Sequence, residues 1–341
     1  MLRQTLRRAV DGEVLTQGEA ERALETIMEG NVPPAATAAL LTALRVKGER
    51  VPEIVGFARA MRRFAAKVEA PEGVVDTCGT GGDAKGTINV STAAAFVARG
   101  AGVVVAKHGN RAATSQAGSA DVLEALGAEI ELSPEQVSRC IAEAGLGFMF
   151  ARTHHPAMRF VAPVRAELPF RTIFNLLGPL TNPAGARRQL VGVFGGAYVR
   201  PIAESLLDLG TEKALVVHGT DGMDEITVTD KTLVADLSEG EIVEYEISPE
   251  DFGFPRHAPD GLLGGDAHLN ARILRDILTG EEIGASRDIV LLNAGAAIHV
   301  SGKAKSVEQG VRLARDSISD GAAAMALEDF VKTTRRLSGT V

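Results

Sequence analysis

The stretch from Val74 to Thr92, VVDTCGTGGDAKGTINVST, sets a glycine-rich turn between a short apolar run and the start of an apolar helix. Gly79, Gly81 and Gly82 let backbone N–H groups come close to an anion, and a helix beginning near Asn89 or Ser91 adds unpaired donors and a positive dipole end. The next apolar run, Val103-Val104-Val105, leads into Lys107, His108, Asn110 and Arg111. Two neighbouring strand ends, one rich in amide donors and one cationic, suit a ligand with more than one phosphate. Alone, the Gly79–Asp83 turn is equally a tight connection, and Asn89, Ser91 and Thr92 are equally N-cap residues. Lys107 at the adjoining strand end favours the phosphate reading. The segment matches neither a Walker A loop nor a GxGxxG fingerprint.

A polar loop from Asn110 leads to a helix over Asp121 to Leu126, with Ser119 expected as its N-cap and its first amides open to a second phosphate. The sequence HGTDGMDE, 218–225, ends another apolar run. Adjacent carboxylates diverge along a strand and converge only in a turn. Asp224 and Glu225 lie in such a turn, and hard oxygen ligands beside phosphate suit Mg²⁺. A solvated acidic loop is the competing reading. His154 and His155 read first as structural histidines. Arg165 can pair with Glu167 or Glu143, or present its fork to a carboxylate. Cys78, inside the glycine turn, reads as a space-filling residue. No Ser–His–Asp order, HExxH helix or reactive-cysteine context occurs.

The net charge of −8 over 341 residues argues against a general nucleic-acid or anionic-membrane surface, so phosphates need a local cationic pocket. Lys107, His108, Arg111 and Arg165 are its candidates. Aromatic residues are only 4%, which leaves the packing to Ala, Val, Leu and Ile. Two cysteines, Cys78 and Cys140, build no disulfide framework or metal site and imply reduced thiols in a cytoplasmic protein. No signal-peptide or membrane-spanning run is evident, and a soluble intracellular protein is expected.

The elements that must position these groups fall into two patterns. Residues 1–68 read as helices only: a capping box at Thr16 to Glu19, a helix from Pro33-Pro34 to Lys47-Gly48, and a third from Pro52. Residues 69–73 form a linker. From Val74 the chain alternates, with strands expected at 74–76, 102–106, 190–194, 214–218, 241–247 and 288–292. Helices are expected at 91–99, 119–126, 134–144, 200–209, 269–278 and 306–316. This alternation implies an α/β fold with a mainly parallel sheet flanked by helices, and a ligand beyond the carboxyl ends of its strands. Segment 163–187, a helix running into a proline-rich loop, interrupts the pattern and is expected to pack back on the helical unit. The resulting division is a small α-helical domain, 1–68 completed by about 163–187, and a large α/β domain, 74–162 and 188–341.

The motifs DTCGTGGD (76–83), NVST (89–92), KHGNR (107–111), GSADVLEALG (118–127), RTIFNLLGPLTNP (171–183) and HGTDGMDE, in this order, resemble the anthranilate phosphoribosyltransferases across essentially the whole chain. Ala84 and Ile88 stand where that family commonly has glycine and phenylalanine, Gln116-Ala117 where it often has Lys-Ser, and Pro169 where glycine is usual. The resemblance implies a nucleoside-phosphorylase-like phosphoribosyltransferase fold and a homodimer through the helical domains. It implies transfer of a 5-phosphoribosyl group from phosphoribosyl pyrophosphate to the amino group of anthranilate, with Mg²⁺, in tryptophan biosynthesis.

It further implies that Gly79, Gly81, Gly82, Asp83, Thr87, Asn89, Ser91, Thr92, Lys107 and Ser119 hold phosphoribosyl pyrophosphate. Ser91 would touch one Mg²⁺, and Asp224 with Glu225 would anchor a second. Asn110, His155 and Arg165 would receive anthranilate, with Gly79, Gly178 and Pro179 lining its path and His108 near the ring. Lys107, His108 and Arg165 would act by electrostatics and positioning, and no acid or base is assigned. Two other readings compete: a pyrimidine-nucleoside phosphorylase-like enzyme, which the Asp224-Glu225 pair disfavours, and a non-catalytic nucleic-acid-binding paralogue, which the charge disfavours. No nucleic-acid or membrane partner is expected, and nothing in the sequence supports association with anthranilate synthase.

Overall fold

The computed structural model describes residues 2–112 and 116–340. The chain opens with four helices, α1 (Leu2–Val10), α2 (Gln17–Met28), α3 (Pro34–Lys47) and α4 (Val51–Phe64). The expected capping box starts α2, with the Glu19 N–H donated to Thr16 Oγ1 and Thr16 N–H to the Glu19 carboxylate. Pro34 opens α3 at a position where no N–H is needed. Helix α1 falls in the arginine-bearing N-terminal stretch, which carries no helix-start signal of its own. At the foot of α4, the fully buried Glu53 carboxylate accepts from Lys47 Nζ (2.8 Å) and from the N–H groups of Leu15 and Arg50 (both 2.9 Å).

The α/β part follows as β1 (Val75–Gly79), α5 (Val90–Gly100), β2 (Val105–Gly109), α6 (Ser119–Ala125), α7 (Pro134–Ala144) and β3 (Leu146–Phe150). Three short helices come next, α8 (Ala151–His154), α9 (Ala162–Ala166) and α10 (Phe174–Leu177). Then come β4 (Arg188–Gly192), α11 (Val199–Asp208), β5 (Lys213–Gly219), β6 (Thr232–Ser238) and β7 (Glu241–Ile247). The chain ends in α12 (Ala267–Thr279), α13 (Ala285–Val300), α14 (Val307–Ser319) and α15 (Ala322–Ser338). The sheet order is β3-β2-β1-β4-β5-β6-β7, parallel through β5 and antiparallel at β6 and β7. The order runs outward in both directions from β1, so β1, β2 and β4 end side by side at its centre.

Residues 288–292, expected as a strand, lie inside α13. That helix is buried on every side, so its apolar run carries no 3.6-residue stripe and resembles a buried strand. Strands β3 and β6 and helix α15 are elements beyond those expected from the sequence. Small residues let the helical layer sit tight: Gly295 of α13 and Gly310 of α14 touch backbone to backbone, and any Cβ on Gly310 would collide with the Gly295 carbonyl. Phe96 of α5 meets Phe330 of α15 edge to face at 5.7 Å.

Segment 163–187 reaches the helical bundle. Phe174 of α10 meets Phe57 of α4 edge to face at 6.0 Å, and Val164, Ile173, Leu176 and Leu177 share one apolar cluster with α2, α3 and α4. Burying a phenylalanine such as Phe57 contributes about 1.5–3 kcal/mol. Arg62 of α4 donates to the Leu180 carbonyl (2.7 Å) and to the carbonyl of Leu209 at the end of α11 (3.3 Å), which ties both parts together.

Candidate active site

The carboxyl end of β1 enters the glycine turn, and the turn after β5 folds across it. Gly79 of β1 pairs with Gly192 of β4, and Asp224 lies directly over both. A Cβ on Gly79 would collide with the Asp224 carboxylate, and one on Gly192 with its carbonyl. These glycines therefore serve a close backbone approach that brings the acidic turn onto the phosphate turn. Asp224 Oδ2 accepts the Gly81 N–H at 2.7 Å. Burial first, and the neighbouring Asp83 carboxylate second, push Asp224 up to about 6. Glu225 is half-buried, and burial and Asp224 push it well above the usual carboxylate range, opposed by Lys107. The Ser91 N–H, in the first turn of α5, donates to it. The pair is thus an enclosed turn of carboxylates and not the solvated loop that competed with this reading.

Lys107 reaches the same place from β2. It is 3% exposed, donates to the Thr77 carbonyl and to Ser91 Oγ (3.2 Å), and has no ion pair among the described residues. Burial lowers its pKa, opposed by Asp76, Cys78 and Glu225. Asn89 is the backbone N-cap of α5, but its side chain makes no capping bond. Its Nδ2 goes to the Ala117 carbonyl (3.1 Å), and Thr92 Oγ1 is buried without a partner. Asn89 thus gives the N-terminus of α5 no side-chain cap, and among the described residues the side chain that accepts there is the Glu225 carboxylate, from the Ser91 N–H. Thr87 lies on an isolated antiparallel bridge with Leu263.

Two expectations at the second loop are corrected. Gly118, not Ser119, is the N-cap of α6; Ser119 Oγ turns to the Asn110 carbonyl (3.2 Å), because the Asp121 carboxylate already takes the Gly118 and Ala112 N–H groups. Arg111 does not join the cationic pocket. Its guanidinium is drawn to Asp121 and Glu124 on α6 and lies over the Phe150 ring at 5.4 Å.

A second, drier compartment adjoins the first. His108 donates its N–H to the buried Asp76 (3.0 Å), its Nδ1 meets the Gly178 carbonyl (3.1 Å), and its Nε2 faces His155 Nε2 at 3.2 Å. Burial pushes both imidazoles down, His155 to about 4. His154 points elsewhere, its Nδ1 on the Phe150 carbonyl (3.0 Å), which fits its structural reading. Arg165 of α9 is half-buried, pairs with neither Glu167 nor Glu143, and lies over the Phe174 ring at 5.4 Å. A guanidinium without a carboxylate partner beside apolar walls suits a small aromatic anion. Pro179 is buried, its carbonyl accepting from Gln189 of β4 (2.7 Å). Asn110 is exposed at the end of β2, its Oδ1 accepting the Arg111 N–H.

Three residues beyond the sequence reading complete the frame. Asp76 accepts from His108 N and from Asn182 Nδ2 (2.7 Å), tying β1, β2 and the loop after Pro179. Arg171 caps the glycine turn by donating to the Gly82 carbonyl and stacks on Phe194 at 4.3 Å. Asp76 opens the DTCGTGGD motif, Arg171 opens RTIFNLLGPLTNP and Asn182 lies within it, so motif membership was the only signal that could have marked them.

The donor set also bears on metal. Among the described residues no group of three or more His, Cys, Asp or Glu side chains converges to hold an ion unaided. Ser91, Asp224 and Glu225 offer oxygen alone at one rim, which fits Mg²⁺, an ion that takes one or two carboxylates and completes its shell with water and phosphate oxygens.

Residues 71–324 match the glycosyl transferase family, a/b domain, and residues 3–65 its helical bundle domain. The chain is 80% identical over 339 residues to the anthranilate phosphoribosyltransferase of Rubrobacter xylanophilus, covering 99% of each. It is similar to the crystal structure of that enzyme from Thermus thermophilus, with a TM-score of 0.92, 48% identity, and 97% of this chain and 99% of the other covered. It is also similar to the Saccharomyces cerevisiae enzyme in complex with PRPP and Mg, with a TM-score of 0.90, 27% identity and 98% of each chain covered. The yeast enzyme with 4-fluoroanthranilate gives 0.88 and 26%, again over 98% of each.

Proposed function

Because this chain belongs to the anthranilate phosphoribosyltransferases within the glycosyl transferase family, we propose that the cleft beyond β1, β2, β4 and β5 is where it acts. The enzyme transfers the 5-phosphoribosyl group of phosphoribosyl pyrophosphate to the amino group of anthranilate, giving N-(5-phosphoribosyl)anthranilate and pyrophosphate in tryptophan biosynthesis. The observation that carries the placement is the meeting at one rim of Lys107, which has no ion pair among the described residues, the first turn of α5 and the Asp224-Glu225 turn, whose Glu225 accepts the Ser91 N–H.

In this reading Gly79, Gly81, Gly82, Asp83, Thr87, Asn89, Ser91, Thr92, Lys107 and Ser119 hold phosphoribosyl pyrophosphate. Ser91, Asp224 and Glu225 hold Mg²⁺, two ions per subunit. Asn110, His155 and Arg165 receive anthranilate, with Gly79, Gly178 and Pro179 along its path and His108 beside the ring. Breaking the ribose C1–O bond leaves an oxocarbenium-like centre and a departing pyrophosphate. Lys107 neutralises charge on that leaving group, and bound Mg²⁺ supplies further charge stabilisation there. The aromatic amine is a modest nucleophile, so Arg165 and the histidines contribute by aiming it at C1.

The domain division at 1–68 with 163–187, against 74–162 and 188–341, is supported by the Phe57–Phe174 contact. Closure about hinges near 69–73 and 161–165 would exclude water. Compaction in solution scattering with both substrates and Mg²⁺ tests it. A homodimer through the helical domains is supported by Val46, 82% exposed, and Phe170, which with Thr42 and Arg45 line a cavity of about 420 Å³. No helix among the described residues is long and apolar enough to cross a membrane, and a cytoplasmic place is proposed.

The decisive experiment follows anthranilate fluorescence with phosphoribosyl pyrophosphate and Mg²⁺ in the wild type and in Asp224→Asn/Glu225→Gln. Rapid loss in the wild type and slow or metal-shifted loss in the variant is expected. No loss in the wild type, with phosphorolysis of thymidine or uridine instead, overturns the reading.

A further inference from the structure

One side chain far from every sequence motif joins both phosphate loops. Asn270, in the first turns of α12, is 3% exposed and makes a hydrogen bond with each half of its amide. Its Oδ1 accepts the Gly265 N–H at 2.8 Å, and its Nδ2 donates to Asn89 Oδ1 at 2.8 Å. Asn89 Nδ2 in turn donates to the Ala117 carbonyl at 3.1 Å. The result is a single chain of three hydrogen bonds running one way. Its direction is fixed at both ends by backbone groups, since the Gly265 N–H can only donate and the Ala117 carbonyl can only accept.

The chain crosses three segments: the start of α12, the cap of α5 and the loop before α6. The first is itself sewn to the glycine-rich loop, with Ile88 N–H on the Leu262 carbonyl (3.0 Å) and Gly264 N–H on the Gly86 carbonyl (2.9 Å). Gly264 has no room for a side chain, because a Cβ there would press on Asn270 Oδ1 and on the Thr87 carbonyl. Asparagine is the residue this position requires. An aspartate accepts from Gly265 but has no donor for Asn89. Asn89 would then flip its amide to donate to the new carboxylate, turning its oxygen against the Ala117 carbonyl. Polarised chains of this kind strengthen each link, so loss of one member loosens the others.

We infer that Asn270 is a positioning residue for the transfer reaction: it sets the orientation of the Asn89 amide and thereby locks the loop 79–88 in register with residues 116–118 for the diphosphate substrate. The inference rests on the reading of this cleft as the phosphoribosyl pyrophosphate site.

The test is steady-state kinetics of Asn270→Asp and Asn270→Ala, with hydrogen exchange of residues 116–120 and Ser317→Ala as a control. Ser317 bonds the Val97 carbonyl (2.8 Å), is buried away from both loops, and removes one hydrogen bond without touching the chain described here. Expected for both Asn270 variants is a KM for phosphoribosyl pyrophosphate raised about tenfold, the size of one lost hydrogen bond, with kcat and the anthranilate KM within about twofold. Exchange at 116–120 should quicken in both and stay at the wild-type rate in Ser317→Ala. A phosphoribosyl pyrophosphate KM within about twofold of wild type in folded Asn270→Asp, or both KM values rising together with a fall in Tm matched by Ser317→Ala, overturns the inference. Wild-type protein inactive toward anthranilate would sink the underlying functional reading. In that event the exchange rates alone decide whether Asn270 couples the loops.

Discussion

Glu53 and Asp224 are both withdrawn from water, and their neighbours treat them in opposite ways. Glu53 has a lysine ammonium and two backbone N–H groups, each aimed at its carboxylate within 2.9 Å. Asp224 has the N–H groups of Gly81 and of its own residue but no ammonium or guanidinium partner among the described residues, and beside it stand the carboxylates of Asp83 and Glu225. The helical end of the molecule satisfies its buried charge from within. The cleft end gathers like charges around Asp224, with Lys107 reaching only Glu225 among them, so the contrast separates a carboxylate that holds the fold from one that waits for a ligand.

Breaking each site should therefore give opposite signatures. Removing the Glu53 carboxylate, as in Glu53→Ala, strands a buried lysine and should cost about 3–5 kcal/mol of stability, read as a lower denaturant midpoint. Equal stability in that variant would erase the contrast. Asp224→Asn should instead lower kcat/KM at least about a hundredfold, or about 2.7 kcal/mol in the barrier, while its denaturant midpoint at neutral pH does not fall. A third measurement uses the ion itself. Saturating Mg²⁺ with pyrophosphate should stabilise the wild type by up to about 2.7 kcal/mol at a hundred times Kd, and should leave Asp224→Asn/Glu225→Gln nearly unmoved in a thermal shift.

The pH dependence gives a smaller effect with a definite sign. Asp224 holds its proton more tightly when folded, at about 6 against 3.8 unfolded. Its contribution to stability is full below the unfolded value and is lost as pH rises through about 6. Between pH 4 and 6 the wild type should lose, relative to Asp224→Asn, up to about 1.4 kcal/mol per unit. The depressed His155 acts the other way, losing stability as pH falls through about 4, but it is common to both proteins and cancels in the difference. The smallest effect concerns the turn facing Asp224. Ala84 stands at φ +58°, in the left-handed region, where the family commonly has glycine. Ala84→Gly should raise stability by no more than about 1 kcal/mol, read as a higher denaturant midpoint, since relief of strain is partly offset by backbone entropy.

Much of this architecture could be read from the chain, because its signals are local. Thr16 to Glu19 and the two proline starts place three helices, and each phosphate loop follows an apolar run that ends in polar residues. The acidic turn was legible for the same reason: Asp221 and Gly222 force the bend that brings Asp224 inward. What escaped depends on distance along the chain. Helix α13 hides its type because its neighbours bury every face. Asn270 and Asn182 find their partners more than seventy residues away, and no spacing rule announces such a meeting. Arg111 looked like a phosphate ligand until Asp121 and Glu124 claimed it from the next helix.

The edge-to-face contact of Phe57 with Phe174 has a consequence for how the chain is made. A ribosome releases the helical bundle well before it releases the segment that covers it, more than a hundred residues downstream. At about 5–20 residues per second, the uncovered apolar face stays open on the order of ten seconds. During that interval the nascent chain is a target for holding chaperones and for sister chains on the same message. This seam is therefore one place where the biogenesis of the molecule is exposed.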